Sequence, residues 1–149
     1  MALRFGLETV LKHRKRLEEI AQRELVEAQE AVDEVLARLE SMYQRSDEIR
    51  LEIAEIENGE RSDKMEFIRS LESFLQGHKV RTEAVRLEAR ERLKVAEDRQ
   101  QDLIIAAQEK KSLVKLKEKR IREYKEWLDR IEAKNRDDQT MMRQAWRKR

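Results

Sequence analysis

The stretch ENGERSDKME, residues 57–66, divides the chain into two parts that both favour helix. Its Asn58-Gly59 pair suits the left-handed backbone conformation that often ends a helix, and Ser62 or Asp63 can cap the helix that follows. Nowhere else in the sequence do turn residues coincide with a gap in the apolar pattern. Because so short a connection brings its two helices side by side, we expect them to fold back antiparallel.

Apolar residues before this turn recur in alternating steps of three and four, which is a heptad seam. The seam runs through Leu25, Ala28, Val32, Val35, Leu39, Met42, Ser46, Ile49, Ile53 and Ile56. Upstream it extends through Leu7, Val10, Arg14, Leu17 and Ala21. These positions predict a first helix over about residues 7–58.

A second seam begins at Ile68 and is interrupted more often by polar residues; it includes Leu93 and Gln100. It predicts a second helix over about residues 64–142, after a turn at about 58–63. Folding at the turn places residue i beside about residue 121 minus i and leaves an overhang of about 30 residues. The predicted fold is all-α, a single coiled-coil unit over residues 1–149: a long two-helix antiparallel hairpin with a C-terminal helical overhang.

A parallel homodimer of nearly continuous helices is the alternative to this hairpin. It would place Asn58-Gly59 inside a helix, and a glycine there costs only about 1 kcal/mol. We favour the hairpin because the turn residues, a cap and the apolar gap all coincide.

The composition excludes an ordinary globular domain. Charged residues make up 44% of the chain and hydrophobic ones 39%, against about 25% charged in a typical domain. No apolar run approaches the roughly 18 residues of a membrane span, and no signal-peptide core is present. With no cysteine either, we expect a cytoplasmic protein.

No pattern of catalytic residues appears in the sequence. Three isolated glycines cannot form a nucleotide-binding loop, and His13 and His78 lack partners at metal-binding spacing. A pair of helices also offers no enclosed pocket for tuning pKa values. We therefore predict a protein that is not an enzyme and that takes no cofactor, metal or small-molecule substrate.

Basic residues are concentrated toward both ends. Basic residues outnumber acidic ones six to three in residues 1–23 and fifteen to seven in residues 110–149, whereas acidic ones lead thirteen to four in residues 24–63. The runs KHRKR (12–16) and KEKR (117–120) could bind nucleic acid. Each run alone is more typical of a solvated coiled-coil flank, and together at one end they suit an acidic protein partner.

The stretch FIRSLESFLQGH, residues 67–78, widens the apolar face after the turn. At about 100° per residue, Ile68 and Leu75 belong to the seam and leave Phe67 and Phe74 on its flank. Two interpretations stay open: the rings form an exposed docking surface, or they fold over the first helix and lock the turn end.

Three segments resemble the flagellar type III export protein FliJ family. They are RFGLETVLKHRKRLEEIAQRELVEAQ, MEFIRSLESFLQGH and LKEKRIREYKEWLDRIEAKNRDD, in this order along most of the chain. The family is similar to the YscO family of virulence secretion and to the gamma-subunit coiled coil of rotary ATPases. A virulence-type stalk and a basic-ended nucleic-acid-binding coiled coil are the alternative functions.

The resemblance implies a cytoplasmic stalk that couples the hexameric export ATPase FliI to the cytoplasmic domain of the export gate FlhA. It also implies export chaperones as further partners, and contact with the membrane only through partners. The gate contact would be made by residues spaced four, three and four apart: Phe67, Leu71, Phe74 and His78. The contact with the ATPase ring would use Lys12, Arg14, Lys15, Arg16, Lys117 and Arg120.

Overall fold

Two long helices account for nearly all of the chain that the computed structural model describes, namely residues 5–59 and 64–148. Helix α1 spans Glu8–Glu57 and helix α2 spans Met65–Arg147. The two helices pack against each other, and no strand occurs among the described residues. The predicted all-α helical hairpin is confirmed.

Helix α1 does not end in the way that the sequence predicted. Neither Asn58 nor Gly59 has a positive φ, so the expected left-handed ending is wrong. The Gly59 N–H donates instead to the Ile56 carbonyl at 3.2 Å. Such an i→i+3 bond tightens the last turn and satisfies a carbonyl that the helix would otherwise leave unpaired.

Helix α2 continues beyond its predicted end at residue 142. The predicted caps Ser62 and Asp63 lie outside the described residues, and α2 begins at Met65. It then runs to Arg147 without interruption. The added residues, RQAWR at positions 143–147, include neither glycine nor proline and are mostly good helix formers, so nothing in the sequence stops the helix at 142.

Contacts between the helices fall into two units. The first unit comprises Met1–Glu19 with Ile104–Arg149, and the second comprises Ile20–Leu103. The prediction that residues 1–149 form one coiled-coil unit stays a prediction.

Within each unit, ion pairs show the direction in which the helices run. In the first unit Lys117 of α2 pairs with Glu8 of α1, and Lys110 pairs with Glu18. In the second unit Arg99 pairs with Glu24, and Glu88 pairs with Arg38. In each unit the residue farther along α1 pairs with the residue that comes earlier in α2, so the helices are antiparallel. The parallel arrangement of continuous helices is therefore wrong for this chain.

The apolar seam predicted for α1 between positions 25 and 56 is confirmed. All ten positions are buried or half-buried, and Val35 and Ile49 are shielded almost completely, at 0% and 1% exposure. This narrow stripe is the core of the second unit, because each helix has only one neighbour on which to bury a face.

Near the start of α1 the seam takes a different path from the predicted one. Leu11 is buried, whereas Val10, the predicted seam residue, is exposed. With Leu11 in place, steps of four, three and four connect Leu7, Leu11, Arg14 and Glu18. The predicted seam already contained Leu7 and Arg14; it took Val10 in place of Leu11, which is equally apolar, and it passed over Glu18 because that residue is charged.

Arginines also replace predicted seam residues in α2. Arg92 and Arg99 are half-buried, whereas Leu93 and Gln100 are exposed. An arginine can lay its aliphatic stem along apolar surface and keep its charged end in contact with partners and water. The seam of the second unit is therefore partly built from charged side chains.

Candidate docking surfaces

Phe67 and Phe74 form an exposed apolar surface on α2. Their exposed fractions are 50% and 41%, and Leu71 between them is half-buried. Residues at steps of four and three lie on the same side of a helix. We call Phe67, Leu71 and Phe74 the docking stripe; it lies on the flank of the seam, where the sequence predicted the two rings.

His78, the fourth predicted gate residue, lies inside the helix pair. It is 7% exposed, and its Nε2 lies 2.7 Å from the Met42 carbonyl oxygen of α1. Because a carbonyl can only accept, Nε2 carries the hydrogen and donates it. The imidazole also stacks on the Phe74 ring, with centroids 5.5 Å apart at 19°. His78 thus supports the stripe from beneath.

Arg81 is a neighbour of the stripe that the sequence did not reveal. Its guanidinium carbon lies 5.2 Å from the centroid of the Phe74 ring, within the range of a cation–π contact. A Cβ added at Gly77 would lie 3.2 Å from Arg81 Nη1. The guanidinium therefore occupies space that a glycine leaves open. The sequence spacing could have indicated this contact, since Arg81 follows Phe74 by seven residues, or about two helical turns, and therefore lies on the same side of α2.

A network of ion pairs joins the helices of the second unit deeper along the seam. Arg38 donates two hydrogen bonds to the Glu88 carboxylate, at 3.1 and 3.2 Å. Arg92 donates to Glu88, to Glu34 and to the Ala31 carbonyl. The hydrogen bond from Arg38 is the main cause that lowers the pKa of Glu88, and the nearby charges of Arg38 and Arg92 add to it.

In the first unit, three of the six predicted ATPase-contact residues engage their own chain. Lys117 pairs with Glu8 and Arg14 pairs with Glu109. The Arg120 guanidinium lies 5.7 Å from the centroid of the Phe5 ring.

The other three residues, Lys12, Lys15 and Arg16, are exposed on α1. They lie within an arc of about 100° on the helix surface, and we call them the basic face. Two of these charges act on a neighbouring carboxylate. The pKa of Glu8 is lowered mainly by the hydrogen bond from Lys117, and the positive charges of Lys117, Lys12 and Lys15 lower it further.

Comparison with known proteins identifies the family. The sequence model described as flagellar FliJ protein matches residues 4–149. The chain belongs to the flagellar FliJ protein family. No curated protein and no solved structure matches it. The predicted family is confirmed, and membership makes the chain a flagellar, export-related protein.

The roles of individual residues in this FliJ-family chain stay predictions, both for the docking stripe with His78 and for the six basic residues. Within residues 5–59 and 64–148, neither helix has an apolar stretch long enough to cross a membrane. The same part of the chain contains no group of three or more His, Asp or Glu side chains placed to hold a metal ion.

Proposed function

We propose that this FliJ-family chain is a non-catalytic cytoplasmic component of the flagellar export apparatus that binds the hexameric export ATPase and the export gate and couples them. The observation that carries the proposal is the exposed docking stripe on a helix of a FliJ-family protein. Paired helices with separate partner surfaces would transmit changes in the ring mechanically. Hydrolysis would belong to the ATPase.

The docking stripe supports the gate contact through its chemistry. Two half-exposed aromatic rings on one helix face offer apolar area of the kind that anchors protein interfaces. His78 and Arg81 both contact Phe74, so this ring is held in place before a partner arrives. A pre-positioned side chain loses less conformational entropy on binding.

The basic face supports the ATPase contact by charge. Lys12, Lys15 and Arg16 form no ion pair within 4 Å among the described residues, so their charges are available to a partner. Clustered positive charge speeds association with an acidic surface and makes it sensitive to salt.

The gate contact is tested by pull-down with the purified cytoplasmic domain of the cognate gate. We expect Phe67→Ala/Phe74→Ala to abolish most of the binding. The matched control is Val80→Ala/Leu87→Ala, because these residues of α2 are also exposed and are spaced seven apart. Equal binding by the two double variants would contradict the proposal for the stripe.

The ATPase contact is tested by hydrolysis assays with the cognate export ATPase. The native chain should raise the rate of hydrolysis, and Lys12→Gln/Lys15→Gln/Arg16→Gln should reduce that effect. The control Lys111→Gln/Lys115→Gln/Lys125→Gln removes the same charge from exposed positions of α2. It should leave the stimulation of hydrolysis unchanged. If the native chain neither stimulates the ATPase nor binds the gate, the proposed coupling role is wrong.

A further inference from the structure

The last part of α2 has an unusual combination of charge and exposure. No acidic residue follows Asp138, whereas Arg143, Arg147, Lys148 and Arg149 are all basic. Every side chain from position 129 to 148 is exposed. We call residues 139–148 the acid-free segment; it is the end of α2 with Lys148, its surface is positive, and no described residue of the first unit buries it.

Three large apolar side chains also project from this segment. Met141, Met142 and Trp146 are 69%, 66% and 79% exposed. At about 100° per residue they cover, together with Ala145, an arc of about 140°. A shallow recess is lined by Met142 and Trp146 together with Gln139, Arg143 and Arg147. Apolar and cationic groups therefore adjoin on one helix surface.

The basic side chains border this apolar arc. On the same helical projection, Arg143 follows Trp146 on one side and Lys148 precedes Met141 on the other. Thr140, Gln144 and Arg147 occupy the opposite face. A helix of this kind can lie in a membrane interface with its apolar face among the acyl chains, while long basic side chains reach sideways to the phosphates.

We infer that the acid-free segment is a binding site for an anionic lipid surface. Tryptophan favours the boundary between water and lipid, and methionine adapts its shape to an irregular apolar surface. Each basic residue near an anionic leaflet adds to the attraction. The chain would lie on the membrane through this segment, in addition to any contact that it makes through protein partners.

A second copy of the chain fits the acid-free segment less well. Packing two such segments together would bring their arginines and lysines into proximity with no carboxylate in either segment to neutralise them. The segment is also only about 15 Å long, which is too short for the roughly 1,000 Å² that a stable interface requires. A lipid surface supplies the complementary charge and imposes no such minimum area.

The two tryptophans of the chain provide a direct test and its control. Both are exposed, but Trp127 is flanked by acids, Glu126 and Asp129, whereas Trp146 lies in the acid-free segment. Trp127→Phe leaves Trp146 as the fluorescent reporter, and Trp146→Phe leaves Trp127. With vesicles of phosphatidylcholine and about 30% phosphatidylglycerol, which supply the anionic surface, we expect a blue shift from Trp146 and none from Trp127.

The contribution of charge is measured by co-sedimentation of the full chain with the same vesicles. Each basic residue near the surface adds about 1 kcal/mol, or about fivefold in affinity. Arg143→Gln/Lys148→Gln, which removes the two charges that border the apolar arc, should therefore lower the partition coefficient about 25-fold. Lys111→Gln/Lys115→Gln removes the same charge from exposed positions outside the segment and should change it less than twofold. Circular dichroism checks that each variant keeps its helices.

Four results would overturn the inference. They are no binding to anionic vesicles, equal binding to pure phosphatidylcholine, an equal loss from the Lys111/Lys115 control, and a blue shift of Trp146 that rises with protein concentration in the absence of vesicles. The last would indicate that a second copy occupies the segment. Because neither the gate nor the ATPase is present in these assays, their outcome is independent of the proposed coupling function.

Discussion

Alanine substitutions at Phe67 and Phe74 separate the two roles that the sequence left open for these rings. A ring that locks the turn end would be buried, and truncating a buried phenylalanine costs about 3–5 kcal/mol of the free energy of unfolding. The structure instead exposes about half of each ring. Docking rings of this kind should therefore contribute far less to folding than to binding.

The expected cost follows from the buried fraction of each ring. Full burial of a phenylalanine side chain is worth about 1.5–3 kcal/mol, so half of it gives about 1 kcal/mol for Phe67→Ala. Phe74 also stacks on His78 and contacts Arg81, which raises the expected cost of Phe74→Ala to about 2 kcal/mol. Ile49, 1% exposed, provides the contrast, because Ile49→Ala should cost about 2–5 kcal/mol.

Urea unfolding followed by circular dichroism measures all three variants. The docking interpretation requires Phe67→Ala to be the mildest of the three and still to weaken gate binding. A cost of about 3 kcal/mol or more for Phe67→Ala would show that the ring locks the hairpin, and the reasoning from exposure would then be wrong.

Three further predictions concern the second unit. Hydrogen bonds from Arg38 lower the pKa of the Glu88 carboxylate in the folded chain, so this carboxylate stabilises the fold at neutral pH and ceases to do so as pH falls below about 4. The difference in the free energy of unfolding between the native chain and Glu88→Gln, measured by urea unfolding at several pH values, should therefore disappear on acidification. A difference that stays constant with pH would contradict this. Gly77→Ala should raise the free energy of unfolding by up to about 1 kcal/mol, because alanine favours the helix over glycine. A lowered urea midpoint would contradict this and would show that moving the Arg81 guanidinium away from Phe74 costs more than the helix propensity gains. Arg92→Ala should lower the free energy of unfolding by about 1–2 kcal/mol through lost packing and hydrogen bonds. Arg92→Leu should lower it less in the same urea titration, because leucine fills the seam position again. The reverse order would show that the ion pairs of Arg92 contribute more than its packing.

The apolar pattern predicted much of the fold because most seam residues of α1 are unambiguous. Of the ten seam positions between 25 and 56, only Ser46 is polar, so the period of the pattern fixes the buried face. The same reasoning placed Phe67 and Phe74 on the flank of the α2 seam, where the structure exposes them. The position of the turn was predicted correctly from its residues, but the backbone conformation predicted for Asn58 and Gly59 was wrong.

The pattern failed where charged residues occupy seam positions. Leu93 was preferred to Arg92 because it is apolar, yet the arginine stem fits the seam and its guanidinium reaches Ala31 and Glu34 of α1. The burial of His78 similarly depends on a carbonyl acceptor contributed by Met42. A sequence read one helix at a time contains no information about such cross-helix partners, so these positions could not be predicted from period alone.

These cross-helix pairs also explain how the second unit avoids a slipped alignment. An apolar heptad seam is satisfied almost equally well when one helix slides by seven residues, because each apolar position then meets the next. Sliding α2 in one direction would bring Arg81 to the place of Glu88, opposite Arg38, and sliding it in the other would bring Val95 there. The first alternative sets like charges against each other and the second leaves Arg38 without its carboxylate.

Paired charges contribute little stability as isolated surface contacts, but they distinguish one alignment from its neighbours. That alignment is what places His78 against Met42 and beneath Phe74, so the position of the docking stripe relative to α1 depends on charged side chains that contribute little apolar area.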